Sequence, residues 1–230
     1  MRRSTWIGGL SAATAIVGAG RPAWAAEPAS TQVVPPEVLM RELLEGNRRF
    51  VAGTLRNGDG IVERRAALTG TQAPFAAIVS CADSRVPPEL VFDQGLGDLF
   101  VTRVAGNFAP DDILGSLEYA VEHLHTRLIV VLGHEGCGAV KAVYEAIKTK
   151  TPLPPHLDAI ERALRPPIEP IVAAGGTLDE AVSANVKAVV AHIAAAQPVI
   201  APAVEHRTAR VVGAEYHLGT GEVRILARGV

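Results

Sequence analysis

The stretch Phe75-Ala-Ala-Ile-Val-Ser-Cys-Ala-Asp-Ser-Arg85 decides the fold: an apolar run ends abruptly in a thiol, a carboxylate and a guanidinium at alternate positions. Downstream, Leu128-Ile-Val-Val-Leu-Gly-His-Glu-Gly-Cys-Gly138 is a second apolar run, ending in an imidazole and the only other cysteine. Short unbroken apolar runs bounded by Gly or polar residues read as fully buried parallel strands. Side chains that follow such strands stand at the carboxyl edge of the sheet, where open α/β folds place their ligands. Two such strands side by side bring Cys81, His134 and Cys137 to one point. Thiolate and imidazole donors together favour zinc. Three protein ligands leave a fourth place for water, which separates a catalytic zinc from a structural one.

Other readings of the same residues stay open. A disulfide between Cys81 and Cys137 is one, and two buried cysteines beside a satisfied histidine is another. Asp83 is a potential fourth ligand that would close the site. Arg85, two positions on, offers a fork of donors that matches the carboxylate and holds it off the metal.

Working outward, Asp98 to Val104 reads as a further strand, a helix from Ile113 to Leu124 returns the chain, and Leu128 to Leu132 is the third strand. Pro87-Pro88 opens a short helix through Val91. Another helix follows Gly138 and ends near Lys148 and Lys150. Pro152, Pro154 and Pro155 break the chain before a helix from His156 to Leu164. A long helix over Leu178 to Ala196 is capped by Thr177, with Asp179 and Glu180 in its first turn. Arg210 to Leu218 and Glu222 to Leu226 form a strand, turn and strand. The alternation predicts an α/β fold, a mostly parallel central sheet flanked by helices with right-handed crossovers. Before the sheet, Val38, Leu39, Leu43, Leu44 and Phe50 recur at helical spacing, which predicts an N-terminal amphipathic arm that covers this subunit's core or a neighbour's surface.

The 230 residues are ample for one domain with a proper core, and a net charge of -2 gives no electrostatic reason to expect nucleic acid or an anionic membrane as partner. The first residues stand apart. Met1-Arg2-Arg3 is a basic start, Trp6 to Gly20 is apolar and small, and Ala23-Trp-Ala25 is a small-x-small cleavage site. Residues 1–25 are therefore read as a cleaved export signal, 26–36 as a linker and 37–230 as a single catalytic domain. The protein is expected in the periplasm or secreted, with no membrane anchor in the mature form. Arg2-Arg3 raises the twin-arginine route, which exports proteins already folded and so protects two thiols as metal ligands.

Cys81-Ala-Asp-Ser-Arg85 and Gly133-His-Glu-Gly-Cys-Gly138 together resemble the β-class carbonic anhydrases. Arg103-Val-Ala-Gly-Asn107, Leu117-Glu-Tyr-Ala-Val121 and Val211-Val-Gly-Ala-Glu-Tyr216 carry the resemblance through nearly all the mature chain. It implies an obligate dimer or higher homo-oligomer with one zinc ion per subunit. Cys81, His134 and Cys137 match the ligands, and Asp83 with Arg85 matches the catalytic dyad. Gln72, Phe100, Tyr119 and Gly138 match positions around the substrate, Gln72 often serving the partner's site. Members with a bicarbonate-regulated site carry a tryptophan where this chain has Ile78, which aligns it with the open branch, although Arg103 matches another residue of that regulatory pocket. The implied reaction is hydration of carbon dioxide to bicarbonate by a zinc-bound hydroxide. The rivals are hydrolysis of carbon disulfide or carbonyl sulfide at the same site, and a non-catalytic zinc or bicarbonate binder. His123, His125 and His206 are candidates for the proton shuttle by chemistry alone.

Overall fold

A computed structural model describes residues 34–228. The expected signal segment and all of the linker except its last three positions lie outside these residues. None of the described helices is long and apolar enough to cross a membrane.

The strands are β1 (Ala76–Ser80), β2 (Leu99–Arg103), β3 (Leu128–His134), β4 (Arg210–Tyr216) and β5 (Val223–Arg228), in the sheet order β2-β1-β3-β4-β5. The first four are parallel, and β5 turns back antiparallel on β4. Every residue of β1 and β3 is buried, which is why both read as unbroken apolar runs. β2 is an edge strand and only partly covered. The third strand runs two residues further than the sequence suggests, because Gly133 and His134 still pair with Glu215 and Tyr216.

Helices cover both faces. On one, Ile78, Leu128, Val130, Leu132, Val212 and Tyr216 pack against Met40 and Leu43 of α1 (Pro36–Ala52) and Val91 of α3 (Pro88–Val91). On the other, Val79, Ile129, Val131 and Val211 meet Leu117 of α4 (Asp111–Glu122) and Val186, Val190 and Ile193 of α7 (Leu178–Ala194). A short helix α2 (Ile61–Ala67) precedes β1.

The N-terminal arm thus covers this subunit's own core. Its buried positions are Met40, Leu43, Gly46 and Asn47, while Val38 is exposed. Gly46 permits the close approach, since a Cβ there would lie 1.7 Å from the Phe92 carbonyl oxygen. Asn47 then donates to Val91 O at 3.0 Å and Gly221 O at 2.8 Å, and accepts from Val223 N at 2.9 Å. One buried amide ties the arm to α3 and to the β4–β5 turn.

Two further differences concern helices. The segment after Pro155 forms a 3-10 turn and then α6 (Asp158–Ala173), which passes Leu164 and continues through Pro166, Pro167 and Pro170. Local chemistry argues for a stop at a proline pair. The apolar stripe of Leu164 and Ile168, both fully buried against α5 (Gly138–Thr149) and α7, holds the helix together instead. A short α8 (Ile200–Glu205), without a clear periodic signal, also precedes β4. Thr177 caps α7 as expected, in a capping box with Glu180.

Candidate metal centre

β1 and β3 are neighbours, with Ser80 opposite Leu132, so Cys81 follows one strand beside the end of the other. His134 is the last residue of β3, and Cys137 is the N-cap of α5 after the turn at Glu135 and Gly136. The two Sγ atoms and a His134 ring nitrogen lie within 4.8 Å of one another, and all three residues are buried. Both cysteines are free, with Sγ atoms 3.9 Å apart. A disulfide requires about 2.05 Å, whereas two 2.3 Å zinc–sulfur bonds at a tetrahedral angle span about 3.8 Å.

His134 Nδ1 lies 3.0 Å from the Glu135 carbonyl oxygen. A carbonyl only accepts, so Nδ1 carries the hydrogen and Nε2 keeps its lone pair. That Nε2 is buried and has no hydrogen-bond partner among the described residues. A buried lone pair left unused is costly unless something binds it, and a divalent ion between two sulfurs does so. The donor set, its spacing and the orphaned nitrogen all fit zinc.

The two sulfurs sit in different surroundings. The Gly106 N–H donates to Cys81 Sγ at 3.4 Å, and amides of Ala139 and Val140 at the start of α5 pull Cys137 downward. Between themselves the thiols share a proton unequally. The hydrogen bond from Cys137 holds Cys81 well below the ordinary thiol value, and the same bond, with burial, pushes Cys137 up. For His134, burial pulls the imidazole down, but the neighbouring Cys81 sulfur and Asp83 carboxylate raise it by more.

Asp83 is not a member of the ligand group. Arg85 takes both its oxygens, Nε to Oδ1 at 3.0 Å and a terminal nitrogen to Oδ2 at 2.7 Å, and the Arg85 N–H adds a third bond at 2.9 Å. This fork holds the carboxyl well below the usual range. Oδ2 stands 3.9 Å from His134 Nε2, beside the ligands but committed to the arginine. Arg103 fixes the loop from behind, donating to Cys81 O at 2.9 Å and Asp83 O at 2.6 Å.

A family model described as carbonic anhydrase matches residues 76–223. A carbonic anhydrase of Mycolicibacterium smegmatis is 41% identical over 83% of this chain and 93% of its own length. Carbonic anhydrase 2 of Mycobacterium tuberculosis is 42% identical over 81% and 90%. Among solved structures, the Coccomyxa β-carbonic anhydrase in complex with acetazolamide superposes with a TM-score of 0.65 at 30% identity, covering 80% of this chain and 84% of that one. The β-carbonic anhydrase CcaA gives 0.66 at 26%, over 82% and 87%. The chain belongs to the β-class carbonic anhydrases. As a carbonic anhydrase it is a zinc-dependent lyase that hydrates carbon dioxide reversibly, and Cys81, His134 and Cys137 are the one group among the described residues able to hold its ion.

The remaining expected site residues of this carbonic anhydrase divide. Gly138 is exposed at the first turn of α5, with open space where a side chain would stand. Gln72, Phe100 and Tyr119 form a separate group. Gln72, Tyr119 and His123 line one open depression, and the Tyr119 ring lies 6.4 Å from Phe100 and 5.1 Å from His123. Phe100 pairs with Ala77, three residues or roughly 10 Å below the Ser80–Arg103 pair at the sheet's carboxyl edge. Within one chain these residues are not brought to the metal group. The sequence did not reveal the Arg103 clamp or the Gly106 hydrogen bond, since both depend on β2 lying beside β1.

Proposed function

We propose that this enzyme hydrates carbon dioxide at the Cys81–His134–Cys137 centre, with Asp83 and Arg85 as its catalytic dyad. The observation that carries the reading is the coexistence of an unpartnered His134 Nε2 with an Asp83 held beside it by the Arg85 fork. When bound there, zinc supplies the Lewis acidity that brings the pKa of a coordinated water to about 7. Asp83 stays ionised because Arg85 stabilises its charge, so it acts only as a hydrogen-bond acceptor. It takes the O–H of the attacking oxygen and turns that oxygen's free lone pair toward the carbon. Arg85 keeps Asp83 from moving onto the metal, and the Arg103 clamp keeps the backbone beneath both in place.

The pocket is completed by a second copy. Among the described residues β2 is an edge strand with no partner on its outer side, with Leu99, Phe100 and Val101 only half covered, and Tyr119 is 46% exposed beside it. Antiparallel pairing of two β2 edges sets the lower end of one against the carboxyl end of the other. Gln72, Phe100 and Tyr119 of one copy then flank Cys81 to Arg85 of its mate. His123 travels with Tyr119, which singles it out from His125 and His206 as the group that carries the released proton away. The mature enzyme, beginning at Ala26, lies outside the cytoplasm in this reading, and N-terminal sequencing of the fractionated protein is the test.

The central test measures carbon dioxide hydration and bound zinc together on the purified protein. Activity should follow zinc content and fall with acetazolamide, the compound bound in the Coccomyxa enzyme. A fully zinc-loaded protein that stays silent even at alkaline pH would refute it. So would faster turnover of carbon disulfide or carbonyl sulfide than of carbon dioxide.

A further inference from the structure

The buried face of α7 is apolar at Ala181, Val182, Val186, Val189, Val190 and Ile193, and polar at one position, Asn185. Its Nδ2 donates to the Gly106 carbonyl at 2.9 Å. Because that carbonyl can only accept, the amide cannot be turned the other way round. The Asn185 Oδ1 is buried and has no partner among the described residues. Half of this amide is thus buried without return, a desolvation cost that the apolar positions of the same helix face do not carry. The half that is used ends on the residue whose N–H reaches Cys81 Sγ.

Gly106 stands between these two bonds. It occupies a tight turn closed by Asn107 N on Val104 O at 2.9 Å, with φ +88°, and an added Cβ would lie 2.7 Å from Leu164 Cδ1. Only glycine fits that backbone and that space. Glycine is also the residue with the most freedom to swing its N–H away. The contrast with Cys137 is instructive, because Cys137 is itself the N-cap of α5 and is placed by the helix that follows it. Cys81 borrows its donor from a loop 25 positions away, and that loop is fastened from the far side by α7.

We infer that Asn185 is a positioning residue that holds the Gly106 N–H on the Cys81 sulfur and so sets the donor strength of that ligand. The inference rests on the reading of Cys81 as a metal ligand. An N–H bonded to a thiolate draws electron density from the sulfur, which leaves the metal more acidic than two bare thiolates would.

Cobalt(II) makes the effect visible, because its thiolate charge-transfer band reports the energy of the sulfur lone pairs. In Asn185→Leu the protein should fold with a lowered Tm, because the buried Gly106 carbonyl loses its donor. The band should move to longer wavelength, and zinc affinity, measured by chelator competition, should fall about tenfold because the loop that holds the Cys81 sulfur in place is no longer fastened. A folded variant with the wild-type band and wild-type affinity overturns the inference. If Asn185→Leu does not fold, Asn185→Ala, which cannot overpack, carries the same readings. Failure of both to fold would make Asn185 a core requirement and equally overturn the positioning role. If the wild-type cobalt protein shows no thiolate band at all, the ligand assignment itself is wrong.

Discussion

Asp83 and Asp93 lie ten positions apart, and each faces an arginine, yet they do different work. Asp93 is fully buried at its side chain. One oxygen accepts from the backbone N–H groups of Arg56 at 2.7 Å and Asn57 at 2.8 Å, and the other from Arg49 of α1. All three of these donors belong to the fold, and the carboxylate is closed off from solvent and from the metal group. Asp83 is partly open, gives its oxygens to an arginine two residues away, and keeps one edge toward the metal group. Each carboxylate accepts three hydrogen bonds, two on Oδ1 and one on Oδ2, so the ion pair is a tether where the carboxylate is sealed inside the fold and a catalytic device where Oδ2 faces the metal ligands.

Asparagine at either position breaks the comparison most sharply. Asp83→Asn should retain zinc and lose hydration activity by a factor of about a hundred or more, with a smaller loss of stability than Asp93→Asn because its arginine is exposed to water. Rates and metal content measured on one preparation decide this, and near-normal turnover would remove Asp83 from the mechanism. Asp93→Asn should do the reverse, losing about 2–3 kcal/mol in urea unfolding with kcat unchanged. Asp93 has φ +47°, a conformation asparagine adopts readily, so the loss reports charge and hydrogen bonding rather than strain. A large drop in kcat for Asp93→Asn would mean that the tether also shapes the site.

Lysine substitutions sharpen it further with smaller effects. Arg85 meets two oxygens with two nitrogens, a match that a point charge cannot reproduce. Arg85→Lys should cost about tenfold in hydration rate and nothing measurable in stability. Arg49 makes one strong contact, through Nε. Arg49→Lys should cost about 1 kcal/mol and leave the rate alone. Equal rate losses in the two variants would show that the fork at Asp83 has no special role.

The same division explains what the sequence made legible. β1 and β3 are buried on both faces, so each is an apolar run that stops where its chemistry begins, and one neighbour relation suffices to assemble Cys81, His134 and Cys137. The residues that hold the assembly were not legible. Asn47 and Asn185 are single polar side chains on apolar helix faces, bonded to Gly221 and Gly106 at separations of 174 and 79 positions. Nothing local distinguishes them from solvent-facing asparagines. α6 failed for the opposite reason: its prolines give a strong local stop signal, overridden by the burial of Leu164 and Ile168. Gln72, Phe100 and Tyr119 were expected as a set only from the family resemblance, and their distance from the metal group appears only with the β1–β2 register.

Acid pH gives the subtlest test of the two aspartates. For Asp93, burial pushes the carboxyl upward, but the bonds from Arg49, Arg56 and Asn57 outweigh it and leave the folded value depressed. The unfolded chain, with a carboxyl pKa of about 3.9, therefore takes up this proton first as pH falls. The stabilisation from Asp93 is complete above that unfolded value and drains away as pH drops through the lower folded one. Asp93→Asn has no such titration. Urea midpoints of wild type and variant should accordingly stay apart from pH 7 down to about 5 and converge below about 4. Asp83, depressed by an arginine that water reaches, should show a weaker convergence, because solvent screens that pair. A gap between wild type and Asp93→Asn that stays constant through the acid range would mean that hydrogen-bond geometry, and not the charge of Asp93, is what anchors the arm.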